Sequence, residues 1–504
     1  MDGGIAGLGA ARLAAGLRAR EFSCVELMRA CLGQVGRLNP KVNAIVSLRE
    51  SDVLLAEAAE RDAQLARGED LGPLHGLPQA VKDLALTRGL RTSFGSPILD
   101  GVPAEDTLFV ERLRAAGALF IGKTNTPEFG LGSQTYNGVF GTTLNAYDAR
   151  LCAGGSSGGA AVALALRMLP VADGSDMMGS LRNPAAFNNV LGFRPSIGRV
   201  PMAGEELFLD SLACTGPMAR SVADLVLLLD VMAGADPRAP LAIDDPAWRA
   251  HPPLAREFRG SRVGWLGDLG GHLAFEPGVL GLCRKGCSAL ESLGCRVDEV
   301  ALPVPPAELW EAWTTLRSWQ VAGALAPLHA DPARRARLKP EAVWEIERGL
   351  ALGAQDVYRA SLVRSRWHRA ALRLFAQFDF LVLPSAQVFP FDATLHWPRS
   401  INGVAMDTYH RWMEVVVPAS LLGFPVLNLP VGFDPQGRPM GMQVVAAHHA
   451  DWSVLQLGAA YEAATNWVER RPPPLLAPPA RWPAGPLAPG RARLARIAPP
   501  RRSR

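Results

Sequence analysis

Short apolar runs of strand length alternate along this chain with stretches of helical periodicity, the order expected of an α/β protein. Strands are predicted at Gln79–Val81, Ala118–Ile121, Leu169–Ala172, Arg262–Leu266, Phe380–Leu383, Val426–Leu429 and Met442–Ala446. The best-marked helix begins at Ser221. Ser221 and Asp224 have capping-box spacing, Leu225 to Leu229 are apolar, and Gly234 stops it. Two more helices are expected at about Asp106 to Ala116 and Val279 to Leu293. The opening stretch MDGGIAGLGAARLAAGLRAR reads as an Ala-rich helix, because Arg12 and Arg18 interrupt the apolar run a signal peptide needs. Ala160 to Leu169 is the greasiest segment, but Arg167 and Pro170 leave it too short to span a bilayer. A cytoplasmic protein without a membrane partner is therefore expected. A length of 504 residues would allow several domains. With no internal repeat and no linker before residue 470, however, residues 1–470 read as one large domain. From Arg471 onward Pro and Arg dominate, so 471–504 is expected to be a solvated, disordered tail.

Composition changes this picture little. A hydrophobic content of 48% with 20% charged residues is ordinary for a globular chain. Much of the net charge of +4 sits at the extreme C-terminus, in Arg491, Arg493, Arg496, Arg501, Arg502 and Arg504. No aromatic or zinc motif accompanies these arginines, so no nucleic-acid partner is expected. The seven cysteines are odd in number and sparse, unlike a disulfide framework. Cys283 and Cys287 would share a helix face, but no further pair completes a zinc site around them. All are expected as small apolar residues at or near the core.

Candidate chemistry lies in two glycine-rich loops. Gly154-Gly155-Ser156-Ser157-Gly158-Gly159 precedes the helix-forming run Ala160 to Met168, and Asp173-Gly174-Ser175-Asp176-Met177-Met178-Gly179-Ser180 follows the strand Leu169–Ala172. Glycine beside serine lets a substrate approach the backbone closely, and backbone N–H groups there can converge on a developing oxyanion. Neither loop ends in Gly-Lys-Ser/Thr, which excludes a phosphate loop. Gly155 to Gly159 formally fits a Gly-x-Ser-x-Gly elbow with Ser157 as nucleophile. That chemistry needs a downstream histidine, and His396, His410, His448 and His449 are available. An elbow should directly follow a strand, however, and Asn145 to Ala153 reads as loop. A purely structural glycine loop is the bland alternative for either stretch alone. A different base is also at hand: Lys82 ends the short strand in Gly76-Leu77-Pro78-Gln79-Ala80-Val81-Lys82-Asp83. Burial penalises the ammonium form, so a lysine held there beside serine hydroxyls can serve as base. No metal, flavin or nucleotide motif occurs, and no cofactor is expected.

These loops and the lysine segment resemble the amidase-signature family. Gly76 to Asp83, Gly122-Lys123-Thr124-Asn125-Thr126-Pro127-Glu128-Phe129, Gly154 to Gly159, Gly174 to Ala185 and Leu191 to Val200 follow the family's blocks in order. Gly216 to Ser221 and Gly423 to Gln443 extend the match, which runs from about residue 20 to 465. The resemblance implies a single large α/β/α domain with a mixed, mostly parallel central sheet flanked by helices. It implies an amidase in which Ser180 is the nucleophile, Ser156 the bridging serine on a cis peptide bond, and Lys82 the base. Backbone N–H groups of Met177, Met178, Gly179 and Ser180 would hold the oxyanion, while Asp176 and Arg182 would bond within the loop and fix it. The implied partner is a small-molecule amide, and a homodimer is one assembly it allows.

One position departs from the family pattern. Two glycines usually precede the nucleophile, and Met178 replaces the first of them. Met177 and Met178 would either narrow the acyl pocket or disturb the oxyanion geometry. Trp310, Trp313, Trp319, Trp344, Trp367, Trp397 and Trp412 either line a pocket for an apolar acyl group or fill the core. Two rival functions share this architecture. One is the glutaminase component of a tRNA-dependent amidotransferase, which passes ammonia to a partner. The other is a non-catalytic binding protein that keeps the fold.

Overall fold

The structure is a computed structural model and describes residues 4–245, 248 and 251–477. Each of the seven expected strands forms, within a few residues of its expected bounds. Pro78–Lys82 runs parallel to Leu119–Thr124, with the helix Leu108–Ala115 as the crossover between them. Both strands are buried along their whole length, including the polar side chains Gln79, Lys82, Lys123 and Thr124. Ile45–Val46 adds an antiparallel edge. The large sheet has eight strands, in the order Arg296–Glu299, Arg262–Trp265, Phe380–Pro384, Pro439–Ala446, Val426–Phe433, Leu191–Arg194, Cys214–Ala219 and Val171–Asp176. The mixed sheet flanked by helices is as expected, but its balance of directions differs from mostly parallel. Parallel pairing is confined to the first three strands in that order, and every other neighbouring pair is antiparallel. Within this sheet the parallel neighbours Arg262–Trp265 and Arg296–Glu299 are joined by the helical crossover Val279–Ser292.

The helix expected from Ser221 spans Val222–Met232, and the Ser221 side chain accepts a hydrogen bond from the Asp224 N–H. The Ala-rich helix near the N-terminus is Ala10–Arg18. The next helix, Cys24–Val42, is closed at its start by a reciprocal pair between Ser23 and Glu26. Cys214–Ala219 was not expected as a strand, because Gly216 and Pro217 weaken its β character. It tolerates Pro217 because its ladder with Leu191–Arg194 covers only Met218 and Ala219.

The tryptophan-rich segment folds as the helices Pro306–Ala330, Pro340–Leu350 and Ala354–Phe375, packed on one another. Trp313, Trp367 and Trp412 are fully buried, so for these three the core-filling alternative holds. Trp367 and Trp412 place their indole N–H groups on the carbonyls of Pro418 and Tyr409. All seven cysteines are free and buried. Among the described residues no helix is long and apolar enough to cross a membrane. The ordered chain continues past residue 470: Tyr147 donates to the Arg471 carbonyl, and Leu475 and Leu476 pack against the core. The rest of the expected tail, from residue 478, lies outside the described residues.

Candidate active site

Lys82 is the last residue of its strand and is paired in register with Thr124. This geometry sends its side chain into the space between the two glycine-rich loops, where it is only 2% exposed. Its Nζ lies 2.8 Å from Ser156 Oγ, 2.8 Å from Ser157 Oγ and 3.0 Å from Ser175 Oγ. Burial is the main influence on this amine and pushes its pKa down to about 7, although the Asp173 and Asp176 carboxylates pull it back up. Asp173 also anchors the backbone, accepting the Lys82 N–H at 3.1 Å. Sequence reasoning considered Ser157 only as an elbow nucleophile and passed over Ser175. Both hydroxyls instead surround the lysine nitrogen, and the segment before Ser157 is loop rather than strand.

The Gly155–Ser156 peptide bond is cis, as the family resemblance implies. The first loop then turns directly into the helix Gly158–Ala165. Gly159 permits the tight seating of that helix, since a Cβ there would lie 2.4 Å from the Asn125 backbone nitrogen. Gly130 lies beside the same serine: it has φ +71°, and a Cβ on it would stand 2.8 Å from Leu84 Cδ1 and 3.4 Å from Ser156 Oγ.

Ser180 ends the second loop and is 8% exposed, with a hydroxyl that has no hydrogen-bond partner among the described residues. The loop is held from beneath by Asp176. Its carboxylate accepts from Arg182 Nη2 at 2.9 Å and Nε at 3.0 Å, from the Gly179 N–H at 2.8 Å and from the Leu181 N–H at 3.1 Å. Arg194 adds a second cation, bonding the Asp176 carbonyl and approaching its carboxylate at 3.4 Å. Burial alone would raise the Asp176 pKa, but Arg182 and Arg194 outweigh it and hold the carboxyl well below its usual range. Asp176 and Arg182 therefore bond within the loop as expected, and Arg194 is the partner the sequence reading missed. Asp176→Asn should cost about 3–5 kcal/mol of stability, because it leaves two buried guanidinium groups without their anion. Denaturant titration would read this as a lower midpoint, and an unchanged midpoint would remove the clamp from the account.

The expected oxyanion donors need one correction. The Gly179 N–H is already committed to Asp176, whereas no described residue accepts from the N–H of Met177, Met178 or Ser180. Gly179 takes the left-handed φ of +79° immediately before Ser180. Met178 is 4% exposed, and its side chain belongs to the main core. Met177 is half-buried, and its Sδ meets Arg317 Nη1 at 3.2 Å. Among the described residues no group of three or more His, Cys, Asp or Glu is placed to hold a metal ion.

Comparison with known proteins places the whole chain among its relatives. The chain is 34% identical to an acylamidase of Rhodococcus erythropolis, over 92% of this chain and 97% of that one. It is equally 34% identical to a glutamyl-tRNA(Gln) amidotransferase subunit from Methylococcus capsulatus, over 92% and 98%. Among solved structures, a bacterial aryl acylamidase of the amidase signature family superposes with a TM-score of 0.85 at 27% identity, covering 92% of this chain and 97% of that one. The Amidase family profile matches residues 26–455. The chain belongs to the amidase-signature family, whose members act on the carbon–nitrogen bonds of amides.

Proposed function

We propose that this chain hydrolyses a carboxamide through an acyl-enzyme on Ser180, with Ser156 and Lys82 as the proton relay. The observation that carries this reading is the buried Lys82 amine, 2.8 Å from Ser156 Oγ and able to be uncharged near neutrality. Neutral Lys82 accepts the Ser156 proton while Ser157 and Ser175 occupy its other hydrogen-bonding directions. Ser156 in turn accepts the proton of Ser180, whose unpartnered hydroxyl is free to rotate onto it as substrate arrives; such contacts commonly tighten only in the complex. Ser180 then attacks the amide carbon, and the N–H groups of Met177, Met178 and Ser180 stabilise the oxyanion. Return of the proton through Ser156 to the leaving nitrogen is essential, because an amine anion leaves very poorly. Water repeats the cycle to free the acid.

The test has two arms. A fluorophosphonate probe should form a covalent adduct that mass spectrometry maps to Ser180. A panel of primary and secondary amides should release ammonia or amine. Absence of labelling with absence of turnover across the panel would leave the non-catalytic binding account standing. The pH profile adds an independent check. Only uncharged Lys82 accepts a proton, so kcat/KM should rise about tenfold per pH unit below pH 7 and level off above it. A profile that is flat or falls through that range would exclude lysine as base.

Identity to the amidotransferase component supports a second reading, a glutaminase that feeds ammonia to a partner protein. The catalytic residues do not separate the two. Copurification does: ammonia release from glutamine that requires charged tRNA together with a partner protein favours the amidotransferase, and turnover of simple amides by the isolated chain favours the hydrolase.

A further inference from the structure

Next to the nucleophile loop lies a buried polar group for which the proton relay has no use. Arg317, on the helix Pro306–Ala330, is 4% exposed and faces Glu345, which is wholly buried on the helix Pro340–Leu350. Arg317 Nε donates to Glu345 Oε1 at 2.6 Å, and its Nη2 donates to the Tyr409 hydroxyl at 2.8 Å. Tyr409 passes its own proton to Glu345 Oε1 at 2.7 Å, and Ser318 donates to Oε2 at 2.7 Å. His410 Nε2 stands 3.5 Å from Glu345 Oε1 without a hydrogen bond, and of the Arg317 nitrogens Nη1 is the weakly partnered one. That group meets only the thioether sulfur of Met177, a weak acceptor for a guanidinium donor.

The position of that donor matters. Met177 is half-buried, and its backbone N–H is one of the groups free to hold an oxyanion. On the other side, a Cβ on Gly132 would lie 3.8 Å from the Tyr409 ring, and Gly130, two residues earlier, abuts Ser156. The cluster thus borders both the nucleophile loop and the segment beside the bridging serine. A substrate whose scissile carbonyl sits at the Met177 N–H would direct its acyl chain along the Met177 side chain toward Nη1. Glu345 already balances the Arg317 charge, so an uncharged oxygen suits this donor better than a second carboxylate.

We infer that Arg317 is a specificity-determining residue whose Nη1 donates to a second, uncharged carbonyl oxygen on the acyl part of the substrate, taking the place of Met177 Sδ. The favoured substrates are then short diamides rather than simple alkyl amides. This rests on Ser180 being the nucleophile, and the experiment separates the two claims. Hydrolysis of succinamide, pentanamide and succinamate is compared in the wild-type chain. Succinamide should exceed pentanamide in kcat/KM by about 10- to 100-fold, the range of one hydrogen bond from a charged donor, and should also exceed succinamate.

In Arg317→Met the succinamide-to-pentanamide ratio should collapse to within about threefold of unity. Because that variant leaves Glu345 buried without its cation, Arg317→Met/Glu345→Gln is measured beside it. Met177→Ala, which uncovers Nη1, should raise the ratio. Calorimetry of succinamide on Ser180→Ala, with and without Arg317→Met, reads binding alone and so stands even if no amide is turned over. The inference is overturned by a wild-type ratio near one, by preference for succinamate, or by a folded Arg317 variant with an unchanged ratio. It also falls if the Arg317 variants do not fold and Met177→Ala leaves the ratio where it was.

Discussion

Replacing Ser180 by alanine should remove amide turnover, by on the order of 10⁴- to 10⁶-fold, while leaving the fold intact. The asymmetry follows from the geometry of the loop. The Ser180 hydroxyl has no hydrogen-bond partner among the described residues and is 8% exposed. Deleting it breaks no buried bond and should change stability by less than about 0.5 kcal/mol. The Asp176 clamp, the free N–H groups and the Lys82–Ser156 pair all remain, so substrate should still bind. The measurement is kcat on the best amide of the panel, beside a thermal melt of both proteins. Turnover within tenfold of wild type, with an unshifted melt, would show that the acyl group is carried elsewhere. Among the serines around the lysine, Ser157 would then be the first to substitute.

The parts of this site that were legible in the sequence are those whose chemistry is local. Lys82 ends an apolar strand, and Ser156 and Ser180 lie in glycine-rich loops on either side of the segment from Gly158 to Asp176. That these three share one site was implied by the family resemblance, since the residues alone left a structural glycine loop open. The apolar strands were legible from their own residues, because burial favours apolar side chains whatever surrounds the strand. What escaped depends on contacts across the fold. Arg194 reaches Asp176 from the strand Leu191–Arg194, and nothing local marks that arginine as a loop anchor. Arg317, Glu345 and Tyr409 come from three separate segments, and their joint position against Met177 exists only after the helices pack. The commitment of the Gly179 N–H to Asp176 is likewise a matter of loop path rather than residue type. Strand direction escaped because each strand's pattern records its burial and not its neighbour. Cys214–Ala219 escaped because its glycine and proline hide a ladder made mainly on one side.

Lys82→Met is the most discriminating change, since the proposed role predicts opposite effects on activity and stability. Methionine fills a similar volume but cannot accept a proton, so kcat/KM should fall by about 10²- to 10⁴-fold, the usual contribution of a general base. Stability should move the other way. The folded chain holds this lysine with a pKa near 7 against an ordinary value of 10.5. The folded state therefore binds fewer protons at this position than the unfolded state does between those values. The resulting penalty is felt in full below about pH 7 and vanishes above about pH 10.5. Methionine removes it, while leaving Ser156, Ser157 and Ser175 short of one partner. The net gain should be on the order of 1–3 kcal/mol at pH 6, and it should shrink as the pH is raised to 9. Denaturant titrations of both proteins at the two pH values measure it directly. A variant that loses stability equally at both would mean that the amine is held charged in the fold, and a charged amine cannot start the relay.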